Sequence, residues 1–445
     1  YFPSASLAWR VNEEKWMKKF TFLDNLKLRA SAGITGNDRI SSYGSYAGYG
    51  PNYYAAGGSA VLGLSPTSPG NKNLKWEATT QYDMGVDLGL FNYRINLTAD
   101  VYLKDTKDML LKATVGGQTG FVEQWQNIGK IRNKGLEITL NTHNIDTKDI
   151  KWNTSFNFDM NRNKIMSLGD ENFIPVTIGN GYLTDVARVT VGKPIGTGYG
   201  YVFDGNYQIN DFTWKHKTSG AEVDPSTINS SNIDSYNYIL KDDVVSIANV
   251  AVKPGDRKYK DLKIDGVIDE NDRTEISNSN PKFSWGLGNE FSYKNFDFYV
   301  FFEGVQGFEI MNAFTDMVEA GSKGSNSYNL TQEYWNNRWT PENPTNKYAS
   351  VTNSTNDFVS SYYVEDASYV RLNTITLGYN FGKSLLNKLK IVAARVYFTV
   401  DNVYLWTDYS GMDPDIKSVT PLFTGYDRLS YPRARSYTFG LNLTF

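Results

Sequence analysis

Gln81-Tyr-Asp-Met-Gly-Val-Asp-Leu-Gly-Leu90 and Tyr93-Arg-Ile-Asn-Leu-Thr-Ala-Asp-Val-Tyr102 decide the fold class of this chain. In the first stretch Tyr82, Met84, Val86, Leu88 and Leu90 alternate with Gln81, Asp83, Gly85, Asp87 and Gly89. In the second, Tyr93, Ile95, Leu97, Ala99 and Val101 alternate with Arg94, Asn96, Thr98, Asp100 and Tyr102. A period of two places the apolar side chains on one face of an extended strand and the polar ones on the other. With only Phe91-Asn92 between them, the two stretches predict an antiparallel hairpin.

The pattern returns along the chain. Leu136, Ile138 and Leu140 show it, as do Trp152, Phe156, Phe158 and Met160 against Asn153, Ser155, Asn157 and Asp159. So do Val392, Ala394, Val396, Phe398 and Val400, and finally Tyr437, Phe439, Leu441, Leu443 and Phe445. These runs approach the ~9–11 residues that cross a bilayer at a tilt and exceed the ~5–6 of an ordinary soluble strand. Polar residues at alternate positions fit a hydrated lumen, and Tyr and Trp near strand ends fit interfacial girdles. The expected fold is therefore all-β, a transmembrane antiparallel β-barrel.

Composition agrees. Aromatic residues make up 15% of the 445 positions, with 31 Tyr, 24 Phe and 10 Trp, which favours strands. No window approaches the ~18 uninterrupted apolar residues of a membrane-crossing helix, which excludes a helical membrane protein. With 45 Lys plus Arg against 48 Asp plus Glu, no global field draws the chain to nucleic acid. The absence of cysteine removes disulfides, thiolate metal sites and cysteine nucleophiles together.

Connections are expected to alternate in length, as in bacterial outer-membrane barrels. Short ones fall near 91–92, 143–149, 294–295 and 381–388, with a longer one over 12–25. Long ones fall near 36–77, 105–133, 162–281, 307–366 and 402–434. The excursion over 162–280 is the longest and reads as extracellular, with the glycine-rich Gly196–Gly200 inside it as loop. About eleven spanning strands result. Single-chain barrels have even strand numbers, so residues 1–445 read as the C-terminal part of a barrel. The chain opens at Tyr1 without a leader pattern, and this end reads as a cut one.

Segments spread over the chain resemble the SusC/RagA family of TonB-dependent outer-membrane transporters. They are Phe2-Pro-Ser-Ala-Ser-Leu-Ala-Trp9, Leu26-Lys-Leu-Arg-Ala-Ser-Ala-Gly33 with Thr35-Gly-Asn37, and Asn73-Leu-Lys-Trp-Glu77. Next come Asn127-Ile-Gly129 with Asn133-Lys-Gly-Leu-Glu137, Gly255-Asp-Arg-Lys-Tyr-Lys-Asp-Leu262, and Ala367-Ser-Tyr-Val-Arg-Leu372. Tyr409-Ser-Gly-Met-Asp-Pro414, Tyr431-Pro432 and Thr438-Phe-Gly-Leu-Asn-Leu-Thr-Phe445 complete the set. The resemblance implies a 22-stranded barrel, with about eleven strands here and the plug domain and TonB box outside this chain. It further implies a SusD-like surface lipoprotein, coupling to TonB-ExbB-ExbD, a glycan or oligopeptide substrate, and a place in the cell outer membrane.

Three features carry candidate chemistry. Asp261-Leu-Lys-Ile-Asp-Gly-Val-Ile-Asp-Glu-Asn-Asp272 resembles a calcium loop, with Asp261, Asp265, Asp269 and Asp272 at positions 1, 5, 9 and 12 and Gly266 at the turn. Lys263 stands where a ligand oxygen belongs, and Asp272 is shorter than the usual bidentate Glu, so a structural acidic turn is the competing reading. The turn is the favoured reading: no cofactor is required, and calcium in this extracellular loop is a candidate only. Second, the loop aromatics Tyr334, Trp335 and Trp339 offer flat faces to a sugar ring, against a reading as loop packing. Third, His143 and His216 stand in separate polar connections with neither ligand spacing nor a nucleophile nearby, and no active site is evident. Energy-dependent nutrient import is the leading function, with a passive porin or a secreted β-rich glycan-binding protein as alternatives.

Overall fold

In the computed structural model, residues 1–40, 42–121, 123–176, 178, 185–313, 330–351, 358–417 and 420–445 are described. Eleven strands form one antiparallel sheet, each hydrogen-bonded to its neighbours in chain order. They are β1 (Ser4–Arg10), β2 (Leu23–Asn37), β3 (Glu77–Leu90), β4 (Ile95–Lys107), β5 (Lys130–Asp146) and β6 (Ile150–Ser167). The rest are β7 (Phe283–Tyr293), β8 (Phe296–Gln306), β9 (Tyr369–Asn380), β10 (Ala393–Thr407) and β11 (Ser436–Thr444).

Register joins the alternating patterns into continuous rows. Leu26, Leu88, Leu97, Leu140, Phe156, Leu287 and Phe302 stand opposite one another across β2 to β8. One position along, Lys27, Asp87, Thr98, Thr139, Asn157, Gly286, Glu303 and Arg371 form a polar row on the other face. A shift by one residue would exchange the faces, so the apolar rows specify the pairing. The apolar face is open: Leu7, Met84 and Phe439 are 75%, 65% and 76% exposed. Water would not tolerate such a belt, whereas hydrocarbon would.

Turns correct the sequence reading in places. The β3–β4 turn is four residues long, not two, because Phe91, Asn92 and Tyr93 all take left-handed φ values of 60°, 61° and 56°. Tyr93 therefore leaves the strand, and its N–H donates to Asp24 Oδ2 at 2.9 Å. His143 lies inside β5 rather than in a connection. The excursion expected over 162–280 occupies 168–282, since β6 keeps its ladder with β5 as far as Ser167. Short and long connections do alternate: 11–22, 91–94, 147–149, 294–295 and 381–392 close one end, and 38–76, 108–129, 168–282, 307–368 and 408–435 stand at the other.

Most of the buried core belongs to the long excursions, with Ile165 of β6 and Tyr369 of β9 joining it from the wall. Leu168, Val176, Val186, Ala187 and Val189 pack with Met311, Val359 and Tyr363 and with Phe423 and Tyr426, uniting three excursions above β6. A second core within 168–282 gathers Tyr207, Phe212, Trp214, Ile228 and Val252. The Gly196–Gly200 stretch contributes a strand, Thr197–Gly200, to a four-stranded sheet in this excursion and none to the wall.

Candidate functional site

On the polar face of the wall, arginines bridge carboxylates of neighbouring strands. Arg29 on β2 reaches Asp87 (2.9 Å) on β3 and Asp100 (2.9 Å) on β4. It spans the intervening strand because residue 85 is glycine: a Cβ there would lie 2.1 Å from Asp100 Oδ1 and 2.6 Å from an Arg29 nitrogen. The device recurs on the far side of the sheet, where Arg395 on β10 crosses Gly378 to Asp297 on β8 at 2.5 Å. Each arginine is held by charge-assisted hydrogen bonds, stronger than neutral ones, yet remains partly hydrated.

Where the wall meets the excursions the pairs become buried. Arg371 is fully buried and donates to Asp413 (2.6 Å) and Asn402 (2.5 Å), with Glu303 at 3.3 Å. Arg433 adds a second cation, 3.6 Å from Glu303 and paired with Asp415. This cluster ties β8, β9 and β10 to the 408–435 excursion. Beside it a depression of about 450 Å³ on the wall is lined by Glu137, Asn157, Asp159, Glu303 and Tyr369. Nearer the excursions, a cavity of about 610 Å³ is lined by Asn161, Asn163, Asn278, Asn280, Lys282 and Asp366. A larger recess, about 890 Å³, lies between the 38–76 and 108–129 excursions and presents Tyr43, Tyr46, Phe121 and Trp125.

The calcium-like loop folds without gathering its carboxylates. Asp261 accepts the N–H groups of Ile264 (2.5 Å) and Gly266 (2.9 Å), and Asp265 accepts that of Val267. Asp269 caps a short turn by accepting from Asn271, and buried Asp272 accepts from Leu262, Lys263 and Asp269. Burial works against the Asp272 anion, but these N–H groups outweigh it and hold the carboxyl below the usual range. Among the described residues no group of three or more His, Cys, Asp or Glu is placed to hold a metal ion. Amides thus reach at least one oxygen of each of the four carboxylates, which is the arrangement of a capped acidic turn.

The three aromatics separate. Tyr334 is buried and donates its hydroxyl to Ala349 O at 3.0 Å. Trp339 is buried against Gly255 and donates Nε1–H to Gln208 Oε1 at 2.9 Å, locking the 307–368 excursion onto 168–282. At 1% and 4% exposure, neither presents its ring to solvent in this arrangement. Trp335 alone is exposed, with the Arg338 guanidinium 3.8 Å from its ring centre. Of the histidines, His143 pairs with Asn153 (2.8 Å), and His216 accepts the amide of Thr218 (3.2 Å).

Arg371, Asp413 and Glu303 were not singled out from sequence as site residues. Their signal was indirect: Arg371 and Asp413 lie in two of the segments that carry the family resemblance, 42 positions apart.

Comparison with known proteins now bears on this architecture. Residues 1–242 match the family described as TonB dependent receptor-like, beta-barrel. The chain belongs to the TonB-dependent receptor β-barrel family. This TonB-dependent receptor barrel is similar along its whole length to TonB-dependent receptor P3 of Formosa agariphila, at 34% identity over 455 residues and 42% of that protein. It is also similar to TonB-dependent receptor SusC of Bacteroides thetaiotaomicron, at 29% identity, covering 100% of this chain and 40% of that one. A solved structure of the RagAB peptide transporter shares the fold with a TM-score of 0.77 at 24% identity, over 100% of this chain and 43% of that one. The chain therefore spans about two fifths of the relatives it matches, and as a receptor barrel of this kind it resides in the outer membrane.

Proposed function

We propose that this chain forms part of the wall and the external loops of an energy-dependent importer of glycan or oligopeptide nutrients. The observation that carries the reading is the division of one sheet into an exposed apolar face and a charge-paired polar face capped by a packed loop core. Hydrocarbon takes the first, and a hydrated passage takes the second. The long excursions then stand outside the cell, the remaining strands, plug and TonB box come from the rest of the polypeptide, and TonB-ExbB-ExbD supplies the energy. A SusD-like lipoprotein covers the excursions; the hairpin of Gly48–Ala56 and Ser59–Ser68, with Tyr49, Tyr53 and Leu64 exposed, offers it an aromatic surface.

The test is uptake of fluorescent oligosaccharides and oligopeptides by cells lacking the full-length gene and by cells lacking tonB. Loss of one substrate class in both strains supports active import. Uptake that needs the gene but not tonB identifies a porin, and uptake that needs neither removes the protein from transport.

A further inference from the structure

The apolar face of β4, β5 and β6 ends, at the excursion side, in a block of cations. On β4 the outward positions run Leu97, Ala99, Val101, Leu103, Asp105 and Lys107. On β5 they run from Leu136 to Lys134, Arg132 and Lys130, and on β6 from Met160 to Arg162 and Lys164. Side is not in doubt here: Lys164 is exposed, while its neighbour Ile165 is 1% exposed beneath the loop core on the opposite face. Six cations thus meet a single carboxylate, Asp105, which Arg132 takes at 2.7 Å.

Register makes the imbalance costly. Lys107 stands opposite Lys130, Lys134 opposite Arg162, and Arg132 opposite Lys164. Like charges directly opposed on adjacent strands destabilise a sheet. Arg29, Arg132 and Arg395 each meet a carboxylate, yet Lys107, Lys130, Lys134, Arg162 and Lys164 make no ion pair among the described residues, Arg162 donating one nitrogen to the carbonyls of Asn161 and Pro281. On β3 the same level of the outward face carries Thr80 and Ala78, opposite Asp105 and Lys107, and on the other side the β6–β7 ladder ends at Asp159–Ser284, below the cations, so the block is local.

We infer that this block binds the phosphate groups of anionic lipids in the membrane leaflet next to the excursions. Lys134 follows Leu136, Arg162 follows Met160, and Asp105 and Lys107 follow Leu103, so the cations stand at the rim of the apolar belt, where headgroups meet acyl chains in a bilayer. Long Lys and Arg stems lie along the apolar surface and lift their charges to that interface. A phosphate between β5 and β6 would touch Lys134 and Arg162 together and convert a repulsive pair into a bridged one. The lipid serves as an annular anchor and is not cargo, because it sits on the face away from the polar one.

The test is native mass spectrometry of the full-length protein carrying this chain, in detergent, with phosphatidic acid and with phosphatidylcholine of the same acyl chains. Phosphatidic acid should be retained preferentially. Each neutralised cation should weaken it about fivefold, so K134Q/R162Q/K164Q should weaken it roughly a hundredfold. K215Q/K241Q, within the 168–282 excursion, should retain it as the unmodified protein does. Equal retention of the two lipids, or undiminished retention in the triple variant, overturns the inference, as does displacement by equimolar inorganic phosphate. Should the triple variant not fold, ionic strength decides: retention by the unmodified protein must fall steeply with salt, and salt-independent retention overturns the inference.

Discussion

Replacing Arg371 with Met probes the buried cluster that fastens the loops to the wall. The Arg371 side chain is 1% exposed and that of Asp413 is 5% exposed, so water screens little of their interaction. Met fills much of the stem volume but leaves Asp413 facing a lost donor and removes one of two cations beside Glu303. Breaking one partner of a buried pair costs about 3–5 kcal/mol, mostly from the stranded charge. At 1.4 kcal/mol per tenfold, the 408–417 segment should open on the order of a hundred to several thousand times more often. Hydrogen exchange of the full-length protein in detergent reads this directly as faster exchange around Tyr409 and Asp413, with β1 to β4 unchanged. Because the penalty is the uncompensated anion, Arg371→Met with Asp413→Asn should recover more than half of the lost protection. Exchange unchanged in the single variant, or no recovery in the double, would refute the account.

Trp339→Ala should destabilise docking of the 307–368 excursion by about 3–5 kcal/mol, whereas Trp335→Ala should change stability by less than about 0.5 kcal/mol, measured by thermal unfolding; the reverse order would restore Trp339 as a ligand contact. Met84→Arg, in mid-strand on the exposed apolar face, should cost about 2–4 kcal/mol in chemical unfolding from lipid, and a cost near zero would contradict the assignment of faces. Asp272 has a folded pKa below its unfolded one, so its contribution is present above the ordinary carboxylate range and is lost as pH falls through the lowered value. Amides of Leu262 and Lys263 should therefore stay protected at pH values where exposed aspartates protonate, and loss of protection already in that range would count against the hydrogen-bonded turn. Added calcium should leave the melting temperature unchanged, and a rise that Asp265→Asn abolishes would reinstate the loop as a cation site.

Much of the wall was legible from sequence because its signal is local. Alternation at Gln81–Leu90 and Trp152–Met160 reports one apolar and one polar face without reference to any distant residue, and connection lengths order the strands. Turn detail was less legible: whether Tyr93 continues a strand depends on Asp24, 69 positions away, accepting its amide. The Asp261–Asp272 spacing fitted a cation as well as a capped turn, since spacing records which oxygens are available and not which N–H groups reach them.

The sequence by itself determined the class of fold, the two faces of the sheet and the family, because a period of two and ordered short segments survive without three-dimensional information. Only the tertiary structure decided that Tyr334 and Trp339 are core, that Arg371 and Asp413 meet, and that six cations share one patch of the outer face. Those facts depend on pairing between segments tens of residues apart: alternation fixes which face a residue takes, but which residues stand opposite one another is settled only when the strands assemble.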